Sequence, residues 1–269
     1  MAPRAGTGPS RIGRLLREWR QRRRLSQLDL ALAAGSSARH LSCVETGRAA
    51  PSRDMVLRLC RALDVPLRER NTLLVAAGYA PAYQESSLDD AHLASARAAL
   101  DHMLVAHEPY PAVAVDRWWD VIAGNAALAV LTDGAGPDLP AGQPNVYRSV
   151  LHPEGLIARL ANPRQVREQL LERLAQQVDT TGDPRLRDLY DEVAGYPIPP
   201  TGVETAGATA PGPFQVPLRI HTSEGELSLF ATMATFGAPA DVTLSELAIE
   251  LFYPLDDFTA RYLRSRYQR

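Results

Sequence analysis

A series of short amphipathic segments, each bounded by a capping residue or a glycine, constrains the fold of this chain most. Apolar residues recur at i, i+3, i+4 and i+7 in the first segment, at Ile12, Leu15, Leu16 and Trp19. The second, third and fourth segments open with serines that suit helix N-caps, Ser26, Ser37 and Ser52. The second, third and fifth segments are followed by glycines, Gly35, Gly47 and Gly78. The pattern predicts an all-α domain of five helices in residues 1–82. Expected core positions are Leu28, Leu30, Ala31, Leu41, Val44, Met55, Val56, Leu59, Cys60 and Leu63.

Charge is distributed unevenly along the chain. Residues 1–80 hold 15 arginines and 6 acidic residues, a balance of +9, and the remaining residues hold 14 arginines and 25 acidic residues, a balance of −11, which add to the net charge of −2. A basic module joined to an acidic one predicts that the first contacts a polyanion. We expect neither a secretory signal nor a membrane span, and reduced cysteines in a cytoplasmic protein.

Two short helices joined through a glycine and small polar residues form the helix-turn-helix pattern. The residues Leu25-Ser26-Gln27, Gly35-Ser36 and Val44-Glu45-Thr46-Gly47-Arg48, with Pro51, resemble the xenobiotic-response-element (XRE) family over about residues 11–78. The resemblance implies a lambda-repressor-like domain that binds a double-stranded DNA operator. It also implies a structural ion pair between Arg20 and Glu45, which would fix the first helix against the third.

The same resemblance assigns DNA contacts. The N-terminal half of the third helix would read base edges through Ala38, Arg39, Ser42 and Cys43, with Arg39 as the best candidate because arginine bonds bidentately to guanine. Phosphate contacts would come from Gln27, Ser37, Thr46 and Arg48. The alternative is a protein-binding helical bundle, which the basic balance disfavours.

Residues 83–108 are predicted as a linker helix, with an apolar stripe at Leu93, Ala96, Leu100, Met103 and Leu104. Residues 109–269 then read as an α+β domain with an antiparallel sheet, so that the chain as a whole is α+β. Strands are expected at about 111–116, 118–123, 214–221, 226–236 and 243–253. Asn162-Pro163 and Asp183-Pro184 are expected to open two helices between them, and a short amphipathic helix to end the chain.

The segment Val115-Asp-Arg-Trp-Trp-Asp-Val-Ile-Ala-Gly-Asn-Ala-Ala127 resembles the PAS-like ligand-binding domain of MmyB-like transcription regulators, and the resemblance extends over about residues 105–255. It implies a small apolar ligand such as a fatty acid. Apolar and aromatic residues at candidate pocket positions would equally suit an ordinary core: Trp118, Trp119, Ile122, Leu128, Leu131, Tyr147, Leu151, Phe230 and Phe252. Arg148 or His152 is a candidate partner for a carboxylate, and Asn125 is expected to cap a helix.

These observations predict a ligand-responsive, homodimeric regulator on a pseudo-palindromic operator, with the helix at 88–106 linking its domains. We expect no enzymatic site, metal or cofactor beyond the apolar effector, because no catalytic or metal-ligand spacing occurs. The rival interpretation makes the second domain a ligand-free dimerisation or protein-interaction module.

Overall fold

A computed structural model of the chain describes residues 10–132, 143–198 and 216–267. The chain divides into two compact units. The first comprises Met1–Ser87 and Ala238–Ser245, and the second comprises Leu88–Gly237 and Glu246–Arg269. The start of the strand expected at 214 lies outside the described residues.

The first unit contains the five predicted helices: α1 Arg11–Arg22, α2 Gln27–Ala33, α3 Ala38–Glu45, α4 Arg53–Ala62 and α5 Leu67–Ala76. The hydroxyls of Ser26, Ser37 and Ser52 each accept a hydrogen bond from the backbone N–H three residues later, as the cap pattern predicts. Leu28 is 57% exposed, so the prediction that it is buried is wrong. It lies two residues, about 200°, from buried Leu30, and a two-turn helix has one inward face.

The first unit also includes a segment that joins two strands of the second. In it, α11 Val242–Ser245 follows Asp241, whose side chain accepts from the Thr243 N–H at 2.8 Å. The Val242 N–H donates to the Gln84 carbonyl at 2.8 Å, and the Thr243 hydroxyl donates to the Ser86 carbonyl at 2.6 Å. The strand expected at 243–253 therefore begins only at residue 248, because the capped helical turn occupies its first residues.

In the second unit the described strands form one antiparallel sheet in the order β2-β1-β5-β4-β3. They are β1 Ala112–Val115, β2 Val121–Gly124, β3 Leu218–Thr222, β4 Gly225–Thr235 and β5 Ala248–Pro254. The helices are α6 Ala94–Ala106, α7 Ala129–Thr132, α8 Val146–Leu151, α9 Pro163–Thr181, α10 Pro184–Ala194 and α12 Asp257–Tyr267, and 3-10 turns occur at Ala91–Leu93, Ala126–Leu128 and Leu156–Arg159. The α+β prediction is confirmed.

Helices cover both faces of this sheet. On one face, Leu100 and Leu104 of α6 pack against Ala112, Ala114 and Ile249. On the other face, α8, α9, α10 and α12 enclose the larger core. Helix α6 is therefore part of the second unit. Leu100 and Leu104 of the expected stripe are buried, whereas Met103 is 39% exposed, so the expectation that Met103 belongs to the stripe is wrong. None of the helices described has the length and apolar character to span a bilayer.

Candidate functional site

The relative placement of α1 and α3 depends on a buried ion pair. Glu45 accepts hydrogen bonds from Arg20 Nε at 2.7 Å and Nη2 at 2.9 Å, and its side chain is 2% exposed. Gln27 Nε2 donates to the same carboxylate at 2.9 Å. Burial opposes ionisation of Glu45, but the hydrogen bonds from Arg20 and Gln27 outweigh it and lower the pKa of its carboxyl. The structure thus contains the Arg20–Glu45 pair that the resemblance implies.

The outer surface of α3 presents one long basic side chain at its N-terminal half. Arg39 is exposed, whereas Ser42 and Cys43 are half-buried. Ala38 is also half-buried, because it packs against the core of the first unit. Of the four base-contact candidates, Arg39 therefore has the reach and the donors to recognise a base edge.

The phosphate-contact candidates differ in how they are held. Ser37 caps α3, and Thr46 donates its hydroxyl to the Ser42 carbonyl at 2.7 Å. Gln27 already donates to Glu45, so a phosphate would have to share or replace that bond. Arg48 is exposed. Arg48 therefore offers a long cationic group for a phosphate at the C-terminal end of α3.

The second unit contains a cavity of about 560 Å³, within the usual size range of small-molecule sites. Its wall comes from the sheet, from α7 to α9 and from the turn before α9. Its apolar lining residues include Val113, Val121, Leu128, Leu131, Leu156, Val166, Leu170, Val216, Leu218, Leu229, Phe230 and Phe252. The cavity is therefore suited to a largely apolar ligand.

Four of the nine candidate pocket residues line this cavity: Leu128, Leu131, Phe230 and Phe252. The other five do not. Ile122 alternates with cavity-lining Val121 along β2 and packs on the opposite face of the sheet. Tyr147 and Leu151 are buried in the core behind the wall, and Trp119 stands edge-on to Tyr147 at 5.1 Å. Trp118 donates its indole N–H to Asp183 at 3.0 Å.

The two residues expected to meet a carboxylate are occupied elsewhere. Arg148 forms a bidentate pair with Glu192, with distances of 2.8 Å and 2.7 Å. His152 packs edge-on against Tyr196. Neither lines the cavity. Asn125 does not cap a helix with its side chain, because its amide joins the Ala112 N–H to the Leu104 and Tyr110 carbonyls.

The charged lining residues that sequence reasoning missed are Arg159, Arg173 and Glu250. Arg173 is held over the Trp119 ring at 4.3 Å and lies 3.4 Å from Glu250. Burial raises the pKa of Glu250, and Arg173 offsets part of that effect. The sequence contained one indication of this site. Glu250 is two residues from Phe252 in the same strand and therefore shares its inward-facing side, where a charged residue is unusual.

Trp119 is placed under Arg173 by a strained turn. Its φ of 69° is in the left-handed region, which bulky residues rarely adopt. The Asp116 carboxylate stabilises the turn by accepting from the Trp118 and Asp120 backbone N–H groups at 2.8 Å and 3.0 Å. Trp119 Nε1 then donates to Gln177 of α9 at 2.7 Å. The turn thus ties β1 and β2 to the helix that carries Arg173.

Two family models match this chain, one in each of its two units. Residues 96–265 match the family model of the MmyB-like transcription regulator ligand binding domain, and residues 11–73 match a helix-turn-helix domain. A search of curated proteins found no match. Among solved structures, the restriction-modification controller protein C.AhdI from Aeromonas hydrophila is 36% identical over 23% of this chain and 92% of its own, with a TM-score of 0.22. An RNA-binding Light-Oxygen-Voltage receptor is 14% identical over 95% of this chain and 61% of its own, with a TM-score of 0.24.

Proposed function

This chain belongs to the family of MmyB-like transcription regulators, and we propose that it binds a specific DNA operator through α3 under the control of a small apolar ligand in its second unit. The observation that carries the ligand half of the proposal is the 560 Å³ cavity with its apolar wall. A module serving only dimerisation or partner binding does not require a cavity of this size and apolar character. The ligand class we propose is a fatty acid or a similar amphiphile.

The DNA half of the proposal rests on α3 and its supports. The Arg20–Glu45 pair fixes α1 against α3, and Arg39 extends from the exposed surface of α3. We propose that Arg39 reads a base in the major groove and that Arg48 contacts phosphate. We further propose a homodimer on a pseudo-palindromic operator, which would place two copies of α3 about one helical turn of DNA apart.

A ligand changes DNA affinity only if it binds one arrangement of the protein better than another. The connection between β4 and β5 gives a route for this coupling. Both strands line the cavity, and the segment that joins them, Ala238–Ser245, is hydrogen-bonded to Gln84 and Ser86 within the first unit. A ligand that moves the ends of β4 and β5 would therefore act on this segment of the DNA-binding unit.

The DNA proposal is tested by selecting operator sequences from a random duplex library with the full chain. We expect a preferred site with two related halves. Arg39→Ala should weaken binding to that site by about 1–3 kcal/mol and relax the preference at one base per half-site. Equal binding of the selected site and a scrambled duplex by the wild-type chain would refute sequence-specific recognition.

The ligand proposal is tested by native and then denaturing mass spectrometry of the purified chain, followed by titration with dodecanoate and dodecanol. Ala231 lines the cavity, and Ala231→Phe should occupy part of it and weaken binding. The matched control is Thr232→Phe, which adds the same side chain at the next residue of β4, outside the cavity lining. If neither amphiphile bound and no lipid was released on denaturation, the interaction-module interpretation would take its place.

A further inference from the structure

Glu250 is an unusual residue for the wall of an apolar cavity. It lies in the middle of β5, between Val113 of β1 and Met233 of β4 in the sheet register, and its side chain is 10% exposed. Both neighbours also line the cavity. An ionised carboxylate at such a place is costly unless a partner compensates it. The role of this carboxylate therefore depends on what faces it.

Arg173 of α9 is the cation that faces Glu250. Its guanidinium is stacked on Trp119 at 4.3 Å, and within the described part of the chain its hydrogen bonding consists of one contact of 3.4 Å to Glu250. A guanidinium has five N–H donors. Most of these donors are therefore available to a group inside the cavity, while the indole ring and α9 keep the guanidinium in place.

We propose that Arg173 and Glu250 form the head-group site of the cavity, and that a ligand carboxylate binds there by sharing one proton with Glu250. The inference rests on the proposed ligand-sensing function and deepens it. It gives Glu250 a role in binding the carboxylate of the fatty acid already proposed as the ligand. It also makes occupancy of the cavity depend on pH.

The proton is required by charge. Arg173 can neutralise one carboxylate, and a second anion beside Glu250 in a buried site would be strongly disfavoured, as in carboxylate pairs that hold one proton between them. In the complex, one carboxyl is protonated and donates to the other, which accepts from Arg173. The additional proton comes from solvent, so that each ligand anion enters with one proton whenever Glu250 is ionised beforehand.

The surroundings of Glu250 support this arrangement. Tyr147 of α8 is also near the pair, and its buried hydroxyl has no hydrogen-bond partner in the described residues. Arg159, the other cation of the cavity lining, donates to the Val130 carbonyl at 3.2 Å. From the flanking strands, Val113 and Met233 contribute no charge. Burial already raises the pKa of Glu250, so its protonation costs less than that of an exposed glutamate.

The test is isothermal titration calorimetry of the full chain with dodecanoate, in buffers of different ionisation enthalpy, from about pH 6 to about pH 10, where free carboxylates are ionised. At pH values above the pKa of Glu250, where its carboxyl is ionised before binding, we expect the wild type to take up about one proton per ligand. In that range the affinity should fall about tenfold for each increase of one pH unit. Glu250→Gln should abolish the uptake and make dodecanoate binding independent of pH, because the amide can donate without a proton from solvent.

Two controls separate this inference from the proposed function. Dodecanol should bind wild type and Glu250→Gln alike at all pH values, which also shows that the variant retains an intact cavity. Glu226→Gln makes the same change near the start of β4, outside the cavity lining, and should leave the proton uptake unchanged. If dodecanoate bound without proton uptake, or Glu250→Gln took up as many protons as the wild type, this inference alone would be overturned. If neither ligand bound, the proposed function would be wrong as well.

Discussion

Removing the carboxylate of Glu45 should destabilise the DNA-binding unit by an amount that can be estimated from its contacts. Glu45→Ala leaves the Arg20 side chain, which is 12% exposed, without the acceptor of two hydrogen bonds, and leaves Gln27 without one. Loss of one partner from a buried pair costs about 3–5 kcal/mol. Because Arg20 still donates to the Leu25 carbonyl at 2.9 Å, we take the lower end, about 3 kcal/mol. This loss of stability corresponds to about a 100-fold increase in the equilibrium constant for local unfolding of the DNA-binding unit.

Hydrogen exchange of the full chain, followed by mass spectrometry of peptides, measures this change locally. The slowest amides of α1 and α3 should exchange about 100-fold faster in Glu45→Ala, whereas β1 and β5 of the second unit should keep their wild-type rates. In a double-mutant cycle, Arg20→Ala combined with Glu45→Ala should cost less than the sum of the two single changes. Exchange of α1 and α3 within threefold of wild type would refute the assignment of this stability to the pair.

The pH dependence of this contribution has a definite sign. The folded-state pKa of Glu45 is lowered, so the contribution of Glu45 is complete above the unfolded value of about 4.3 and is lost as the pH falls through the folded value. As the pH falls through the folded-state pKa of Glu45, the free energies of unfolding of wild type and Glu45→Ala should therefore become more similar. A difference that stays constant through that range would show that the variant acts through packing alone.

The remaining predictions concern close packing, a buried amide and a phosphate contact. Gly13→Ala would place a Cβ 2.5 Å from the Val44 carbonyl oxygen and 2.7 Å from that of Glu45, so we expect a lower melting temperature, whereas Gly237→Ala meets nothing within 4 Å and should be close to neutral in the same thermal scan. Asn145→Ala removes donors to the Trp118 carbonyl and to Asp120, both at 2.8 Å, and should lower the free energy of unfolding of the second unit by about 1–3 kcal/mol in denaturant titrations. Arg48→Ala should weaken binding to all duplexes similarly. It should also reduce the slope of the logarithm of the binding constant against the logarithm of the salt concentration by about one, as measured by fluorescence anisotropy at several salt concentrations.

Local sequence signals predicted the first unit well because its structure depends on local chemistry. Each predicted serine cap satisfies backbone N–H groups of the helix that it opens, which requires only residues within one turn. The buried stripe of α4 follows from helical spacing alone. The exception is Leu28, where the short α2 leaves an apolar side chain exposed.

The cavity was harder to predict because an apolar residue looks the same in sequence whether it lines a cavity or fills a core. Tyr147 and Leu151 satisfy the same pattern as Leu128 and Leu131, yet they lie behind the wall. Arg173 and Glu250 come from elements far apart in sequence, and the contact between them depends on how α9 packs over β5. Charge at an inward-facing position, as at Glu250, was the one local signal of that site.

The segment between β4 and β5 shows how local pattern and connectivity can disagree. Alternating residues from 243 onward suit a strand, but the Asp241 side chain and the Gln84 carbonyl take the N–H groups that a longer strand would use. The chain therefore leaves the sheet after β4, contributes Ala238–Ser245 to the first unit and returns as β5. Helix α6 was the expected link, but its Leu100 and Leu104 are buried on the sheet of the second unit. Strands β4 and β5, which line the cavity, are thus joined covalently to the first unit through this segment, and for this reason we propose the segment as the route by which a ligand would influence DNA binding.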